Sequence, residues 1–166
     1  ICLQIEDSCN RGLIVLTGSD TGAYAGGLVG ANANCVQLKN SYNTGTIYAP
    51  GVWVGGLLGQ GGAQAGDCTP LIQSCFNAGL LTGAADKTFA LYAKGALQAG
   101  YLEDSYGLAQ DGTAFHTGAI SADLQTLSDR FQINLSTAPN PLLLEAQKYC
   151  DVIAAPASAA PGTELT

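Results

Sequence analysis

Four carboxylates stand in two pairs, Glu6–Asp7 and Glu103–Asp104. Paired acids are the equipment of glycoside hydrolysis, one serving as acid and the other as base or nucleophile. They hold matching places in the first and last of four copies of one phrase; the copies between offer Lys39–Asn40 and Gln73–Ser74 instead. If the copies stack as coils, two full coils separate the pairs, roughly 10 Å at ~4.8 Å per coil. That is near an inverting-glycosidase spacing, but nothing else in the sequence converges on them. The favoured expectation is solvated turn carboxylates and no catalytic residue. His116 is the chain's one histidine and lies where the repeats fail, so no Ser-His-Asp set is expected. "GGLLGQGG" at 55–62 lacks the Lys-Ser/Thr and the following helix of a phosphate loop. Nor does it have the βαβ setting of a dinucleotide site. No CxxC pair or His-Cys cluster is present, so neither metal nor cofactor is expected.

The elements that would position these residues are repeats. At 5–12 the chain reads "IEDSCNRG", at 38–45 "LKNSYNTG", at 72–79 "IQSCFNAG" and from 102 a fainter "LEDSYG". Short apolar pieces follow the first three: "LIVL", "TIYA" and "LLTG". A second phrase returns later, as "YAGGLVG" at 24–30, "WVGGLLG" at 53–59 and "YAKGALQ" at 92–98. Runs of two to five residues bounded by Gly, Asn and Pro are strand-and-turn grammar. A unit of about 33 residues cannot bury its own apolar face, but stacked units can. The expected fold is all-β: a parallel β-solenoid of three to four repeats over 1–113. Glycine is expected to supply positive φ and close backbone approach at the coil corners.

Two rows of side chains follow from that stacking. Asn10, Asn43 and Asn77 recur at one place and should form a hydrogen-bonded ladder, also satisfying the turns before Gly12, Gly45 and Gly79. An aromatic residue precedes each glycine phrase: Tyr24, Trp53 and Tyr92. These are expected to align as a column, which packs as core or, where exposed, presents a face for sugars.

After 113 the grammar changes. "SADLQTLSDRFQ" at 121–132 opens on an N-cap residue, places Asp123 in the first turn, and sets Leu124, Leu127 and Phe131 on one face. A short helix is expected there, with an apolar strand or turn at 140–150, together capping the stack over 114–150. The Ala/Pro-rich 151–166 reads as linker or tail, and "NLS" at 134–136 is a glycosylation sequon only in a eukaryotic secretory cell.

The six cysteines are Cys2, Cys9, Cys35, Cys68, Cys75 and Cys150. An even count permits three disulfides and equally permits none. Cys2 and Cys68 each have another cysteine seven residues on, Cys9 and Cys75. Those two fall one place apart in the repeat and should point different ways. Cys35 with Cys150, Cys2 with Cys35, and Cys35 with Cys68 remain open. Net charge is -7, with only 11% charged residues and six scattered Lys and Arg, which argues against nucleic acid. No apolar run approaches the ~20 residues of a membrane helix. The chain carries no Met and starts at Ile1 within the repeat pattern, as a processed or excised piece would.

The phrases "NSYNTG" at 40–45 with "VGGLLG" at 54–59, and "SCFNAG" at 74–79, resemble the GLUG repeat family. Cys9 stands where that family has an aromatic residue, Lys94 replaces one glycine, and the fourth unit decays after Tyr106. The resemblance covers about 1–147, including a helix-plus-strand tail. It implies a secreted or cell-surface protein, mostly bacterial, in which such repeats accompany peptidase or adhesin domains, and it implies no catalytic residue. The functional expectation is therefore a non-catalytic structural or adhesive module, partnered by neighbouring domains or repeats of the same protein. The alternative is a module that binds carbohydrate or a host ligand through Tyr24, Trp53 and Tyr92; a β-helix polysaccharide hydrolase or lyase comes third.

Overall fold

The computed structural model describes residues 2–17, 20, 22–31, 35–61, 72–84, 86–94, 101–133 and 135. The chain winds as a series of very short strands. The first coil holds β1 (Cys2–Glu6), β2 (Cys9–Asn10), β3 (Ile14–Val15), β4 (Tyr24–Gly26) and β5 (Val29–Ala31). The second holds β6 (Cys35–Lys39), β7 (Tyr42–Asn43), β8 (Ile47–Tyr48), β9 (Trp53–Gly55) and β10 (Leu58–Gln60). The third holds β11 (Ile72–Gln73), β12 (Phe76–Asn77), β13 (Leu81–Thr82), β14 (Thr88–Phe89) and β15 (Tyr92–Lys94). A partial fourth has β16 (Leu102–Glu103) and β17 (Tyr106–Leu108), then β18 (Ile120–Ala122) and the helix α1 (Leu124–Phe131).

Every strand pairs in parallel with a strand of an adjacent coil. Five sheets result, named here by their first strands: β1-β6-β11-β16, β2-β7-β12-β17-β18, β3-β8-β13, β4-β9-β14 and β5-β10-β15. The fold is an all-β parallel solenoid closed by a strand and a short helix. The offset from the first coil to the second is 33 residues in the β1, β2 and β3 sheets and 29 in the β4 and β5 sheets; the next is 34, and the last is 30 in the β1 and β2 sheets. Strands of two or three residues bury little singly. They gain their stability by backbone pairing above and below, and by the apolar columns that pairing makes. Val36, Leu38, Ile72, Leu57, Leu58 and Leu91 form one interior cluster; Ile47, Ala49, Val52, Val54 and Leu81 form the second.

The two repeat phrases meet across the interior. A Cβ on Gly27 would lie 2.6 Å from Asn43 Cγ, and one on Gly56 2.5 Å from Asn77 Cγ. Each asparagine thus packs on the glycine corner of the preceding coil. At the next rung both partners change together. Ala90 follows Phe89, which pairs with Gly55, so it stands in the place of Gly56; Gly107 pairs with Asn77. A Cβ on Gly107 would come 2.4 Å from the Ala90 Cβ. The contact keeps its volume by moving the side chain from one partner to the other.

Closeness of this kind requires the glycines at Gly26, Gly27, Gly45, Gly55, Gly56, Gly59 and Gly79, whereas Gly12 and Gly30 have room for a side chain. Positive φ falls elsewhere: at Asp7, Asn40, Ser74 and Asp104, with φ between 46° and 51°. The expectation that the repeat glycines turn the corners by positive φ is corrected accordingly. The left-handed corner sits one place before the Ser/Cys of the phrase, where Asp and Asn tolerate it best. The next residue braces it: Ser8, Ser41, Cys75 and Ser105 each donate back to the carbonyl two residues earlier, at 2.8, 2.7, 3.1 and 2.9 Å.

The closing segment divides its work. β18 pairs with β17 and extends the β2 sheet by one strand. The helix lies against the outer side of that sheet: Leu127 is buried with Phe76, Ala78, Leu108 and Ala122, and Phe131 packs 4.5 Å from Phe76. The expected helix over 121–132 is one turn shorter at its start, because Ser121 is held extended in β18. Asp123 is the N-cap instead, accepting from Thr126 N at 2.7 Å, and those bonds lower its carboxyl pKa. The strand or turn expected at 140–150, and the tail, lie outside the described residues.

Candidate functional site

Tyr24 and Trp53 are direct neighbours in the register of β4 and β9, and both are half-buried. Their partner in the third coil is not Tyr92, which the sequence aligns with them. Tyr92 pairs with Leu58 in the β5 sheet, is 5% exposed, and has its phenol pushed up to about 12 by burial. Thr88 pairs with Val54, so the residue opposite Trp53 is Lys87. "WVGGLLGQ" is therefore matched by "KTFALYAK" five residues before the place where the letters suggest a match. The aromatic surface is completed by Phe89, whose ring lies near-parallel to Trp53 at 6.2 Å.

Two lysines join this surface. Lys87 Nζ lies 5.9 Å from the Trp53 ring centroid and Lys94 Nζ lies 5.3 Å from it; Lys94 also lies 5.7 Å from the Tyr24 ring. Ammonium groups so placed are held by the negative faces of the rings. The outer side of the β4 sheet thus presents half-exposed rings with two cations. Its chemistry is recognition by stacking and charge.

His116 ends the aromatic run. It stacks on Phe89 at 4.3 Å and on Tyr92 at 4.1 Å, closing the end of the third coil. Burial lowers its pKa, and its Nε2 is buried without a hydrogen-bond partner. It is a plug.

The asparagine row lies inside the stack. Asn10 Nδ2 donates to Asn43 Oδ1 and Asn43 Nδ2 to Asn77 Oδ1, both at 2.8 Å. Each amide also spans its own turn: Asn43 donates to Gly45 O and accepts from Gly45 N. Gly107 cannot continue the row, and Gln110 takes over. Its Nε2 donates to Gly79 O and its Oε1 accepts from Leu81 N at 2.9 Å. Ile14 N and Ile47 N bond the next coil's backbone at equivalent places, so the Gln110 amide replaces a missing peptide group. Sequence reading missed Gln110 because it belongs to no repeat.

The carboxylates do not converge. Glu6 pairs with Lys39, Lys39 with Gln73 and Gln73 with Glu103. Three strand spacings, about 14 Å, separate the two acids, which corrects the two-coil estimate and exceeds glycosidase range. Asp104 is bonded by Arg130 and by the Tyr106 hydroxyl, and the guanidinium holds its carboxyl below the usual range. Beside that ion pair, a groove of about 350 Å³ lies between the corners Asn40, Ser74 and Asp104 and the helix residues Arg130 and Phe131.

Cys9 and Cys75 are free thiols, so neither takes part in the disulfides that an even count of cysteines permits. Cys9 is exposed and takes the place of Tyr42 and Phe76 on the outer side of the β2 sheet. Cys75 is buried in the serine row, accepting from Ser41 N, and burial pushes its thiol up to about 11. The two point to opposite sides of the β2 sheet. Cys2 and Cys35 are backbone neighbours in β1 and β6; Cys68 and Cys150 lie outside the described residues. Among the described residues no group of three His, Cys, Asp or Glu side chains could hold a metal ion. No helix among them is long and apolar enough to cross a membrane.

No family model matches the sequence, and no curated protein or solved structure matches it.

Proposed function

We propose that this chain is a non-catalytic structural module of a larger extracellular or cell-surface protein, a GLUG-like solenoid that holds or spaces neighbouring domains. One observation carries the reading: the recurrent polar residues bond along the stack. Asparagine bonds asparagine, and each phrase serine or Cys75 bonds the coil before it, Ser8 N to Ser41 Oγ and Cys75 N to Ser105 Oγ. Side chains engaged in this way stiffen a rod; they are not free for acid-base work. The wide separation of Glu6 and Glu103 supports the same reading. The test is activity on peptide and polysaccharide substrates with the isolated module. The expected result is no turnover. Cleavage abolished by Glu6→Gln or Glu103→Gln would overturn it.

A second reading, a carbohydrate-binding side, is favoured by the register of Tyr24 with Trp53 and their partial exposure. Rings held half-open at fixed spacing suit the apolar faces of sugars. A glycan array probed with the module and its Trp53→Ala variant tests it: binding lost with the ring supports it, and an empty array contradicts it.

A further inference from the structure

We infer that the outer side of the β4 sheet takes a carboxylate-bearing sugar, its acid held between Lys87 and Lys94 and its ring set against Trp53 and Tyr24. This deepens the carbohydrate reading and rests on it.

Charge placement is the first ground. The chain has net charge -7 and six Lys and Arg in all, yet two of those six meet at one tryptophan. Both ammoniums lie within 6 Å of the same ring centroid, which puts them within about a Debye length of each other. The ion pair found among the described residues is Arg130 with Asp104; neither lysine has a carboxylate partner there. Two cations gathered at one ring, offset only by the ring faces and by no carboxylate among the described residues, attract an anion.

Repeat grammar is the second ground. Residues the stack needs recur from coil to coil, as the asparagines and serines do. The lysines do not recur. The places of Lys94 in the second and first coils hold Gln60 and Ala31. The place of Lys87 holds Trp53 and then Tyr24. The third coil thus departs from its own pattern twice, each time to bring a cation to the aromatic residues of the coils before it. What the stack gains from either departure is a cation–π contact at its surface, and both lysines can change without breaking a backbone pair.

The ring surface is the third ground, and it selects among anions. Half-exposed Tyr24 and Trp53 offer apolar contact to the C–H face of a pyranose. A carboxylate on that pyranose meets charge-assisted donors. A nucleic acid needs a longer row of cations against its phosphates than two lysines offer.

The test is titration of the chain with three probes: a short oligogalacturonate, its fully methyl-esterified form, and a single-stranded oligonucleotide of the same charge. The acidic sugar is expected to bind about tenfold or more tighter than the ester, with an affinity that falls as salt rises. Lys87→Gln with Lys94→Gln should bring it down to the level of the ester while lowering the melting temperature only slightly, as the loss of exposed cation–π contacts requires. Trp53→Ala should weaken both sugars. Equal binding of acid and ester, unmoved by the lysine changes but lost with Trp53, overturns the acidic inference and leaves the carbohydrate reading standing. No binding of either sugar overturns both. Tighter binding of the oligonucleotide overturns the inference in favour of a nucleic-acid ligand.

Discussion

The first and second coils are written in nearly the same letters, and they reach different states. Asn43 is fully buried where Asn10 is half-exposed, and Ile47 is fully buried where Ile14 is not. A Cβ on Gly45 would lie 2.0 Å from the Gly12 carbonyl, whereas one on Gly12 meets only its own coil's Asn10 side chain at 3.5 Å. The second coil has a neighbour on each side. In the structure the first coil pairs on one side only. In a solenoid a residue's environment is set by the coil adjacent to it as much as by its own sequence.

Breaking the equivalence at glycine gives the largest effect. Gly45→Ala should destabilise by about 3 kcal/mol or more, because the clash is with backbone that cannot yield without separating two coils. Gly12→Ala should stay within about 0.5 kcal/mol. Urea unfolding of the two variants reads the difference directly. The asparagines come next. Asn43→Ala removes two rungs of the ladder and both ends of a turn, for about 3 kcal/mol, and Asn10→Ala about 1 kcal/mol. Equal losses at the two positions would mean that the ladder does not depend on burial.

The far end of the stack sharpens the contrast. There Gln110 takes the place of a neighbouring coil's peptide, so Gln110→Ala should cost about 1–2 kcal/mol by leaving Leu81 N unpaired and Gly79 O with the Asn77 amide alone. The smallest effect is pH dependence at the plug. Burial holds the His116 pKa below its ordinary value of 6.5, so the unfolded chain takes up this proton first on acidification. The contribution is complete above about 6.5 and is lost as pH falls toward the lowered folded value. Melting temperature followed across that range should fall for the native chain and fall less for His116→Phe.

Much of this was legible in the letters. The phrases mark the coils, the Gly-bounded runs mark the strands, and the asparagines mark a row, because recurrence at fixed spacing is what stacking demands. Leu124, Leu127 and Phe131 mark the helix face. Register was less legible. Tyr92 looks like the third aromatic of a column, but loop length varies between coils, and pairing with β10 sets the true alignment five residues away. The 33-residue spacing of Cys2 and Cys35 is the register of their two strands, whereas the second and third coils are offset by 34. The corners were less legible, because glycine is the usual residue at positive φ and here Asp7, Asn40, Ser74 and Asp104 hold it. Lys87 and Lys94 had no signal as a pair. They are seven apart on different sheets, and only folding brings both to Trp53.

Residue-level amide hydrogen exchange tests the central claim most directly, that a stack of paired coils is the source of order. Ile14 N and Leu16 N bond to the second coil at 2.9 Å each, as well as Ile47 N bonds to the third at 2.8 Å. Bond geometry alone therefore predicts equal protection. The account predicts that Ile47 and Ala78 exchange slowest, and that Ile14 and Leu16 exchange faster by opening of the first coil alone. Equal protection of the first and second coils would contradict it.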